Sequence, residues 1–260
     1  MRANRLRTLL NEGKPSLGTR IQSTWPTITE IVGRSQKFDY VEFLAEYAPY
    51  DLYALDNLGR TIELFPNFTG LIKMERSAQQ HLAIRAMGAG IENLLFTDVR
   101  TADDALECVR IVRPETPDGG GLHGNSGGRA ASGGLPALVQ AYKDAVIILM
   151  VEKKEAVENL EAILSVPGID MVQWGPSDYS MSIGQAGQRG SAAVTEARDY
   201  TFKTALKMGI QPRAELSDAS EAEHYLKIGV KHFCMAPDTG ILARYYAEQG
   251  AKMRELIGGA

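Results

Sequence analysis

Two carboxylates, Glu152 and Asp178, each come at or just after the end of an apolar run that has the length and composition of a buried β-strand. The run KKEAVENLEAIL between them has the period of an α-helix. Parallel strands joined by a helix place their carboxyl ends on the same edge of a sheet, so we expect the two acids to lie side by side there. Hard divalent cations bind oxygen ligands, and Mg²⁺ often takes only one or two protein carboxylates together with water and substrate. The two acids therefore predict a divalent-cation site.

The elements that would position these acids repeat along the chain as short β-rich runs alternating with helix-period runs. The strand candidates are LGTRIQ (17–22), YVEFLAE (40–46), TGLIKM (69–74), ENLLFTD (92–98), AVIILMVE (145–152), DMVQWG (170–175), IQPRAEL (210–216) and KHFCMAP (231–237). A βα unit repeated in this way, with right-handed crossovers, closes most naturally into a barrel, so the predicted fold is an α/β barrel of the TIM (β/α)8 type. A doubly wound open sheet is the alternative.

Length and composition fit one soluble domain over residues 1–260. The chain has 260 residues, 44% of them apolar and 23% charged, which is enough for a substantial core. Its net charge of −4 gives no reason to expect nucleic acid or an anionic membrane as a partner. No apolar run has the length of a membrane span and residues 1–18 lack the features of a signal peptide, so a cytoplasmic protein is expected. Cys108 and Cys234 lie in apolar periodic segments and are predicted to be buried free thiols.

One segment, residues 113–135 (RPETPDGGGLHGNSGGRAASGGL), interrupts the alternation because it is too long and too rich in glycine for a simple connection. Loops of this kind in compact domains are usually functional lids or disordered linkers. We expect its ends near the amino ends of the strands, while its middle could fold over the opposite rim or reach a neighbouring subunit. Its glycines match neither a Walker phosphate loop nor a dinucleotide-binding fingerprint.

Several blocks of the sequence carry a resemblance to a known family: LGTRIQSTWPTITEIVGRSQKFDYVEF, LLFTDVRTADDALECV, LMVEKKEAVENLEAILSVPGIDMVQWGPSDYSMSIG and GVKHFCMAPDTGIL. Together they resemble the HpcH/HpaI aldolases, which are metal-dependent pyruvate aldolases of the phosphoenolpyruvate/pyruvate barrel superfamily. The resemblance spans residues 15–245, and GPSDYS is its most specific part. It implies a modified TIM barrel assembled as trimers or hexamers, in which a C-terminal helix, here residues 239–260, packs on a neighbouring subunit.

The resemblance also implies how metal and substrate are held. The family's metal ligands fall on Glu152 and Asp178, the acids already selected by their positions. The ion, Mg²⁺, Mn²⁺ or Co²⁺, would chelate the carboxylate and keto oxygen of pyruvate, a 2-oxo acid, and stabilise the enolate as a Lewis acid. Gly175, Pro176 and Ser177 resemble the family's turn whose backbone amides approach the pyruvate carboxylate. The alternative is that these residues have purely structural roles: Glu152 and Asp178 would be helix-cap and turn carboxylates, and Ser177 an ordinary turn residue.

Two cationic residues are candidates for contact with the substrate. The family's Arg at the end of the third strand corresponds to Lys73, which keeps the positive charge but lacks the planar fork of Arg. Arg76 is an alternative for this role, and a surface charge is the bland interpretation of either residue. Arg20 is unexpected inside an apolar strand. If it points into the barrel it should pair with substrate or with a carboxylate, because an unpaired buried charge is costly.

This sequence departs from the family pattern at the position of the general base. Where the family has Asp-x-Glu-His after strand two, this chain has Leu44 in place of the Asp and Tyr47 in place of the His, and the acid that orients the His corresponds to Gly88. A phenol is a poor base at neutral pH, although Tyr47 beside Lys73 could donate a proton. His123, in the glycine-rich segment, is the other candidate because an imidazole titrates in the right range.

Two classes of function follow. The preferred one is a metal-dependent carbon–carbon lyase acting next to a 2-oxo acid, with Glu152 and Asp178 on the ion, Lys73 at the enolate, and Tyr47 or His123 handling the proton. A hydrolase or decarboxylase of a related oxo acid in the same site is an alternative, since the base has changed. The second class is a barrel that binds a small oxo acid or a metal without turnover. The two retained acids favour the first class, and the lost base favours the second.

Overall fold

A closed barrel of parallel β-strands, arranged in chain order, forms the centre of the protein. The computed structural model describes residues 3–258. The strands are β1 Ser16–Ile21, β2 Tyr40–Leu44, β3 Thr69–Met74, β4 Asn93–Phe96, β5 Ile147–Val151, β6 Met171–Trp174, β7 Gln211–Glu215 and β8 His232–Pro237. Their ends agree with the predicted runs to within two residues. The TIM-type barrel is therefore confirmed, and the open sheet is wrong because β8 pairs with β1 through Ser16–Thr19.

Helices surround the barrel and connect its strands. Over the described residues they are α1 Arg5–Asn11, α2 Pro26–Ser35, α3 Leu52–Ile62, α4 Gln79–Gly88, α5 Ala102–Val112, α6 Gly134–Asp144, α7 Lys154–Glu158, α8 Leu160–Leu164, α9 Pro176–Ser182, α10 Ala192–Lys207, α11 Ala222–Lys227 and α12 Asp238–Leu256. Within residues 3–258, none of these helices combines the length and the apolar character that a membrane crossing requires.

Alternation along the strands decides which side chains enter the barrel. In β5, Leu149 and Val151 pack outward against the helices, whereas Ile148 and Met150 belong to the interior apolar cluster. Glu152 follows in the inward-facing series, so the strand that supplies the apolar core also carries this acid to the mouth of the barrel.

The amino end of the barrel is closed by α1. Leu6 is fully buried in the interior cluster, and the side-chain amide of Asn4 donates a 2.8 Å hydrogen bond to Oδ1 of Asn93 at the start of β4. Arg7 adds a 2.6 Å ion pair to Asp170, just before β6. Because this end is filled, the carboxyl end is the side of the barrel that remains accessible to a ligand.

A layer of polar side chains crosses the barrel interior between the apolar cluster and the mouth. Arg213 is fully buried and contacts Oε2 of Glu42, which is also fully buried, and Oε1 of Gln173. Its Nε donates a 2.7 Å hydrogen bond to the hydroxyl of Tyr40. Gln173 in turn donates to Oε1 of Glu215 across 2.6 Å. A buried guanidinium needs such partners, since an uncompensated charge in this place is strongly destabilising.

The glycine-rich segment, residues 113–135, lies at the amino end of the barrel rather than over its mouth. Arg113 donates hydrogen bonds to the carbonyls of Ala145 at 2.9 Å and Gly168 at 3.1 Å, which precede β5 and β6. Further along, Arg129 pairs with Glu63 just after α3, at the same end. Of the two possibilities for the middle of this segment, folding over the rim is therefore wrong for the chain's own barrel, while contact with a neighbouring subunit stays a prediction.

Helix α12 leaves the barrel after β8 and exposes almost all of its surface. Every residue from 239 to 258 is solvent-exposed, and the large apolar side chains among them include Ile241, Leu242, Tyr245, Tyr246 and Met253. The predicted helix 239–260 is thus present as far as Leu256, and residues 259–260 lie outside the described residues.

The two cysteines, Cys108 and Cys234, are free and buried, as predicted.

Candidate active site

A cavity of about 210 Å³ opens at the carboxyl end of the barrel. Its lining comes from the ends of several strands and the loops after them: Arg20, Leu44, Tyr47, Lys73, Met150, Glu152, Gly175, Pro176, Ser177, Asp178, Arg189 and Glu215. The structure therefore brings together every residue that the sequence predicted for the site, with the exceptions of His123 and of Arg76, the alternative to Lys73.

Glu152 is the most buried acid of the cavity wall, with 4% of its surface exposed. Its Oε1 accepts a 2.9 Å hydrogen bond from the backbone N–H of Asp98. Burial raises the pKa of Glu152 to about 7, and the nearby Asp178 raises it as well, whereas the Asp98 N–H and the cations Lys73 and Lys153 lower it. A carboxylate in this position is stabilised by any further positive charge that enters the cavity.

Asp178 lies in the first turn of α9 and already has a cationic partner. The ammonium of Lys153 is 2.7 Å from Oδ1 of Asp178 and 3.2 Å from Oδ1 of Asp98. Burial alone would lower the pKa of Lys153, but Asp178 and Asp98 together raise it. Lys153 therefore bridges two loops at the mouth, the one after β4 and the one after β6.

The donor set fits a cation that needs few protein ligands. Across residues 3–258 no group of three or more His, Cys, Asp or Glu side chains is arranged to hold a metal ion, so Glu152 and Asp178 could supply two ligands at most. A site of that kind suits Mg²⁺-like ions, which keep water and substrate oxygens in their coordination sphere. Burial is the main cause of the raised pKa of Glu152, and the charge of Asp178 adds a smaller repulsion that a shared cation would relieve.

Gly175 creates the space beside Glu152. A Cβ at this position would lie 2.5 Å from Cβ and 2.7 Å from Oε2 of Glu152, closer than such atoms can approach. Pro176 and Ser177 follow as the first two residues of α9, with Asp178 third. Backbone N–H groups in a first helical turn have no partner within the helix, so those of Ser177 and Asp178 are available to an anion.

Lys73, at the end of β3, is held by two neighbours. Its ammonium lies 2.7 Å from the hydroxyl oxygen of Tyr47 and 2.7 Å from Oε2 of Glu46. Burial alone would lower the pKa of Lys73, but Tyr47 and Glu46 outweigh that effect and raise it. The pKa of Tyr47 is also raised, mainly by burial. At neutral pH the pair is an ammonium beside a neutral phenol, which can donate a proton but cannot accept one readily.

Arg20 points into the mouth of the barrel and finds the carboxylate that its position requires. Its Nη1 lies 2.6 Å from Oε2 of Glu215, and its Nε donates to the carbonyl of Met235. Arg76, the alternative to Lys73, does not line the cavity. It pairs with Asp104 at the start of α5 and donates to the carbonyl of Asp98.

His123 lies away from the cavity and is buried between α5 and α6. Its Nδ1 contacts the carbonyl of Ile111 at 3.1 Å, and its ring stacks on Tyr142 with 3.9 Å between centroids. Burial lowers the pKa of His123, which keeps the imidazole neutral. The prediction that His123 replaces the missing base is therefore wrong for the chain's own site, because the glycine-rich segment is tied to the opposite end of the barrel.

Four charged residues at the site were not predicted: Asp98, Lys153, Arg189 and Glu215. Lys153 directly follows Glu152, and Asp98 follows β4 as Glu152 follows β5, so their positions carried a signal. Arg189 lies in the irregular stretch between α9 and α10, where no periodicity indicates a direction for its side chain.

Comparison with known proteins agrees with this geometry. The profile of a family described as HpcH/HpaI aldolase/citrate lyase matches residues 74–243. A 4-hydroxy-2-oxo-heptane-1,7-dioate aldolase from Shigella boydii serotype 18 is 28% identical over 244 residues, which cover 93% of this chain and 91% of that relative. A hydroxypyruvate/pyruvate aldolase from Paraburkholderia phytofirmans is 29% identical over 254 residues, covering 97% and 94%. The crystal structure of an HpcH/HpaI aldolase/citrate lyase family protein from Burkholderia cenocepacia J2315 superimposes with a TM-score of 0.88 at 25% identity, covering 97% of this chain and all of that one.

Proposed function

Because this chain belongs to the HpcH/HpaI aldolase/citrate lyase family, we propose that it is a metal-dependent lyase that makes or breaks a carbon–carbon bond next to a 2-oxo acid. The observation that carries the proposal is the convergence of Glu152, Asp178 and Lys73 on one cavity at the carboxyl end of the barrel. Catalysis in TIM barrels takes place at this end. Aldolases among the relatives, 28% and 29% identical over nearly the whole chain, support the same reaction class.

We assign the binding of a divalent ion, Mg²⁺, Mn²⁺ or Co²⁺, to Glu152 and Asp178. When bound, such an ion would supply Lewis-acid polarisation of the keto group of the substrate. The backbone N–H groups of Ser177 and Asp178 would hold the carboxylate of the oxo acid, since they lack partners within the helix. Gly175 is required because a side chain there would meet Glu152.

Lys73 would stabilise the negative charge that develops on the keto oxygen as the carbon–carbon bond breaks. Lys73 is 5% exposed and its ammonium is held by two neighbours, so it requires little reorganisation during the reaction. Tyr47 would act as the proton donor. In the bond-forming direction the aldehyde oxygen takes up a proton, which the hydroxyl of Tyr47 would supply, while the proton lost from C3 of the oxo acid would pass to water in the open cavity.

A second reaction of the same site is favoured by the nature of Tyr47. None of the described residues that line the cavity is a histidine, and the raised pKa of Tyr47 keeps its hydroxyl protonated at neutral pH, so little of it is available to act as a base. Decarboxylation of a 2-oxo acid with a carboxyl group on C3 needs no base: the bond to that carboxylate breaks, CO₂ leaves with its oxygens, and the electron pair stays on the enolate. Tyr47 would then give its proton to C3.

Arg189 supports a substrate with a second anionic group. The cavity's other cations are already paired, Arg20 with Glu215 and Lys73 with Glu46. Arg189 is exposed and has no carboxylate within ion-pair distance among residues 3–258. An acceptor aldehyde that carries a carboxylate would supply the missing charge at the outer part of the cavity.

The exposed face of α12 supports assembly as a homo-oligomer, which we propose to be a trimer or hexamer. Ile241, Leu242, Tyr245 and Tyr246 together place large apolar side chains in water. Contiguous exposed apolar surface of this kind usually marks a protein–protein contact.

Proton exchange of pyruvate provides the test of the proposed function. The purified protein is incubated with Mg²⁺ and pyruvate in D₂O, and the loss of the methyl signal is followed by NMR. We expect exchange that depends on the ion and is abolished by Glu152→Gln and by Asp178→Asn. Glu155→Gln, an acid on the exposed side of α7, is the matched control and should leave exchange unchanged.

Cleavage of 4-hydroxy-2-oxo acids and decarboxylation of oxaloacetate are measured with the same variants. Activity towards the first would establish the aldolase, and activity towards the second alone would establish the decarboxylase. Ion binding without exchange, cleavage or decarboxylation would overturn both and leave a binding protein.

A further inference from the structure

Lys153 is a cation that lies close to both proposed metal-binding acids. Its ammonium lies 2.7 Å from Oδ1 of Asp178 and 3.2 Å from Oδ1 of Asp98, and 18% of its side chain is exposed. Lys153 directly follows Glu152 in the chain, so its backbone is fixed by the end of β5.

Asp98 connects this cation to Glu152. It has a φ of +60°, the left-handed region that few residues other than glycine adopt. In this conformation its N–H donates a 2.9 Å hydrogen bond to Oε1 of Glu152, while its carboxylate contacts Lys153. The contacts therefore run without a gap from Glu152 through Asp98 and Lys153 to Asp178.

We infer that Lys153 is a positioning residue that holds the Asp178 carboxylate at the mouth before the divalent ion binds and that lowers the affinity of the site for that ion. The inference rests on the proposed function, since it concerns the ion assigned to Glu152 and Asp178. It assigns to Lys153 a role in setting how tightly the ion is held, separate from any role in the reaction.

Repulsion between the ammonium of Lys153 and a divalent ion explains why Lys153 would lower the affinity of the site. A divalent ion that takes Asp178 as a ligand must either replace the ammonium at Oδ1 or bind beside it, and like charges a few ångströms apart repel. The ammonium cannot simply swing into solvent at no cost, because Asp98 holds it on its other side. Before the ion binds, the same ammonium offsets the repulsion between Asp178 and Glu152 and keeps both acids in place.

Lys154 distinguishes this role from a general effect of surface charge. It has the same charge and is the next residue, but its ammonium lies 3.5 Å from Glu158 on α7 and its side chain is 62% exposed. Such an exposed pair one turn apart on a helix contributes little.

The test measures the affinity for Mg²⁺ and for Mn²⁺ alone, by isothermal titration calorimetry on the full-length protein without substrate. We expect Lys153→Met and Lys153→Gln to bind each ion about tenfold more tightly than the wild type, as expected for the loss of one nearby charge. Lys153→Arg, which keeps the charge, should stay within about threefold of the wild type, and Lys154→Met within about twofold.

Circular dichroism first establishes that the Lys153 and Lys154 variants are folded. Unchanged or weaker binding by both Lys153→Met and Lys153→Gln would overturn the inference while leaving the metal site intact. Equal tightening by Lys154→Met would overturn it too, because the effect would then be one of net charge. A wild-type protein that binds neither ion would overturn the proposed function itself.

Discussion

The ammonium of Lys73 donates a hydrogen bond to the hydroxyl oxygen of Tyr47 across 2.7 Å and lies 4.5 Å from the centre of its ring. The residue in the place of the family's imidazole is therefore a neutral phenol bound to a cation. Such a pair is arranged to donate a proton and to stabilise negative charge, and it is poorly suited to removing a proton.

Tyr47→Phe tests this role of the hydroxyl. The variant keeps the ring beside Lys73 but loses the hydroxyl proton, so we expect carbon–carbon bond formation to slow by about 10²-fold. Ion affinity should not change, because Tyr47 is not a ligand. Tyr53→Phe is the control, because it removes the hydroxyl of an exposed tyrosine on α3. A Tyr47→Phe variant with wild-type rates would show that the proton comes from another group or from water.

Arg189→Gln tests the second anionic group of the substrate. The KM for acceptor aldehydes that carry a carboxylate should rise about tenfold, since one charge-assisted contact is lost. The KM for neutral aldehydes of the same length should be unaffected. Arg85→Gln on α4 removes an exposed charge away from the cavity and serves as the comparison. An equal change for both kinds of aldehyde would mean that Arg189 has no part in selecting the substrate.

His232 should make the stability of the protein depend on pH. Burial, followed by the cations Lys231 and Arg213, lowers its pKa from 6.5 to about 4, and its Nδ1 contacts the hydroxyl of Ser16 at 2.9 Å. Between these two values the unfolded chain binds a proton on this imidazole that the folded protein does not, so the contribution of His232 to the free energy of unfolding decreases as the pH falls from 6.5 to 4. The shift corresponds to about 3 kcal/mol.

Urea unfolding at several pH values measures this effect. The raised pKa of Glu152 changes the stability in the opposite direction over part of this window, so the variant is compared with the wild type at each pH. The difference in the free energy of unfolding between the wild type and His232→Gln should fall as the pH falls from 6.5 to 4, whereas the difference for His81→Gln, at an exposed position of α4, should stay constant. A difference between the wild type and His232→Gln that stays constant between pH 6.5 and 4 would contradict the assignment.

Arg213→Met tests the polar layer inside the barrel. The change leaves Glu42 buried without its guanidinium, so the free energy of unfolding should fall by about 3–5 kcal/mol. Combining it with Glu42→Leu removes the stranded charge as well and should recover much of the loss. If the double variant were less stable than Arg213→Met alone, the two side chains would not act as a compensating pair. Chemical denaturation of the single and the double variant measures the two free energies of unfolding.

Tyr245→Asp on α12 tests the proposed assembly. A carboxylate in the middle of an apolar contact would be desolvated without a partner, so the oligomer should dissociate at micromolar concentration. Light scattering coupled to size-exclusion chromatography measures the mass in solution. Glu248→Lys on the same helix changes charge without adding a buried carboxylate and is the control. A wild-type protein that is already monomeric would refute the proposed oligomer.

The barrel and most of its mouth could be predicted from the sequence because short-range patterns determine them. The run AVIILMVE indicates a strand buried on both sides, and the period of two along it places Glu152 in the same direction as Ile148 and Met150. Strand ends in a parallel barrel converge on one rim, so the acid after β6 necessarily approaches the acid after β5.

Contacts between distant segments explain what could not be predicted. The position of His123 depends on Arg113, whose guanidinium ties the glycine-rich segment to backbone carbonyls before β5 and β6. The direction of Lys153 depends on Asp98, which is held in a left-handed conformation that no local pattern indicates. In both cases a side chain from another part of the chain decides the geometry.

The chain of contacts from Arg213 through Gln173 and Glu215 to Arg20 lies directly beneath the mouth and makes a rigid base for it. A longer substrate cannot gain room by reaching deeper, because that would break up charges buried at the centre of the fold. Changes in substrate length, whether by natural variation or by engineering, should therefore be found in the outer loops, around Arg189 and Tyr47, while the base stays the same.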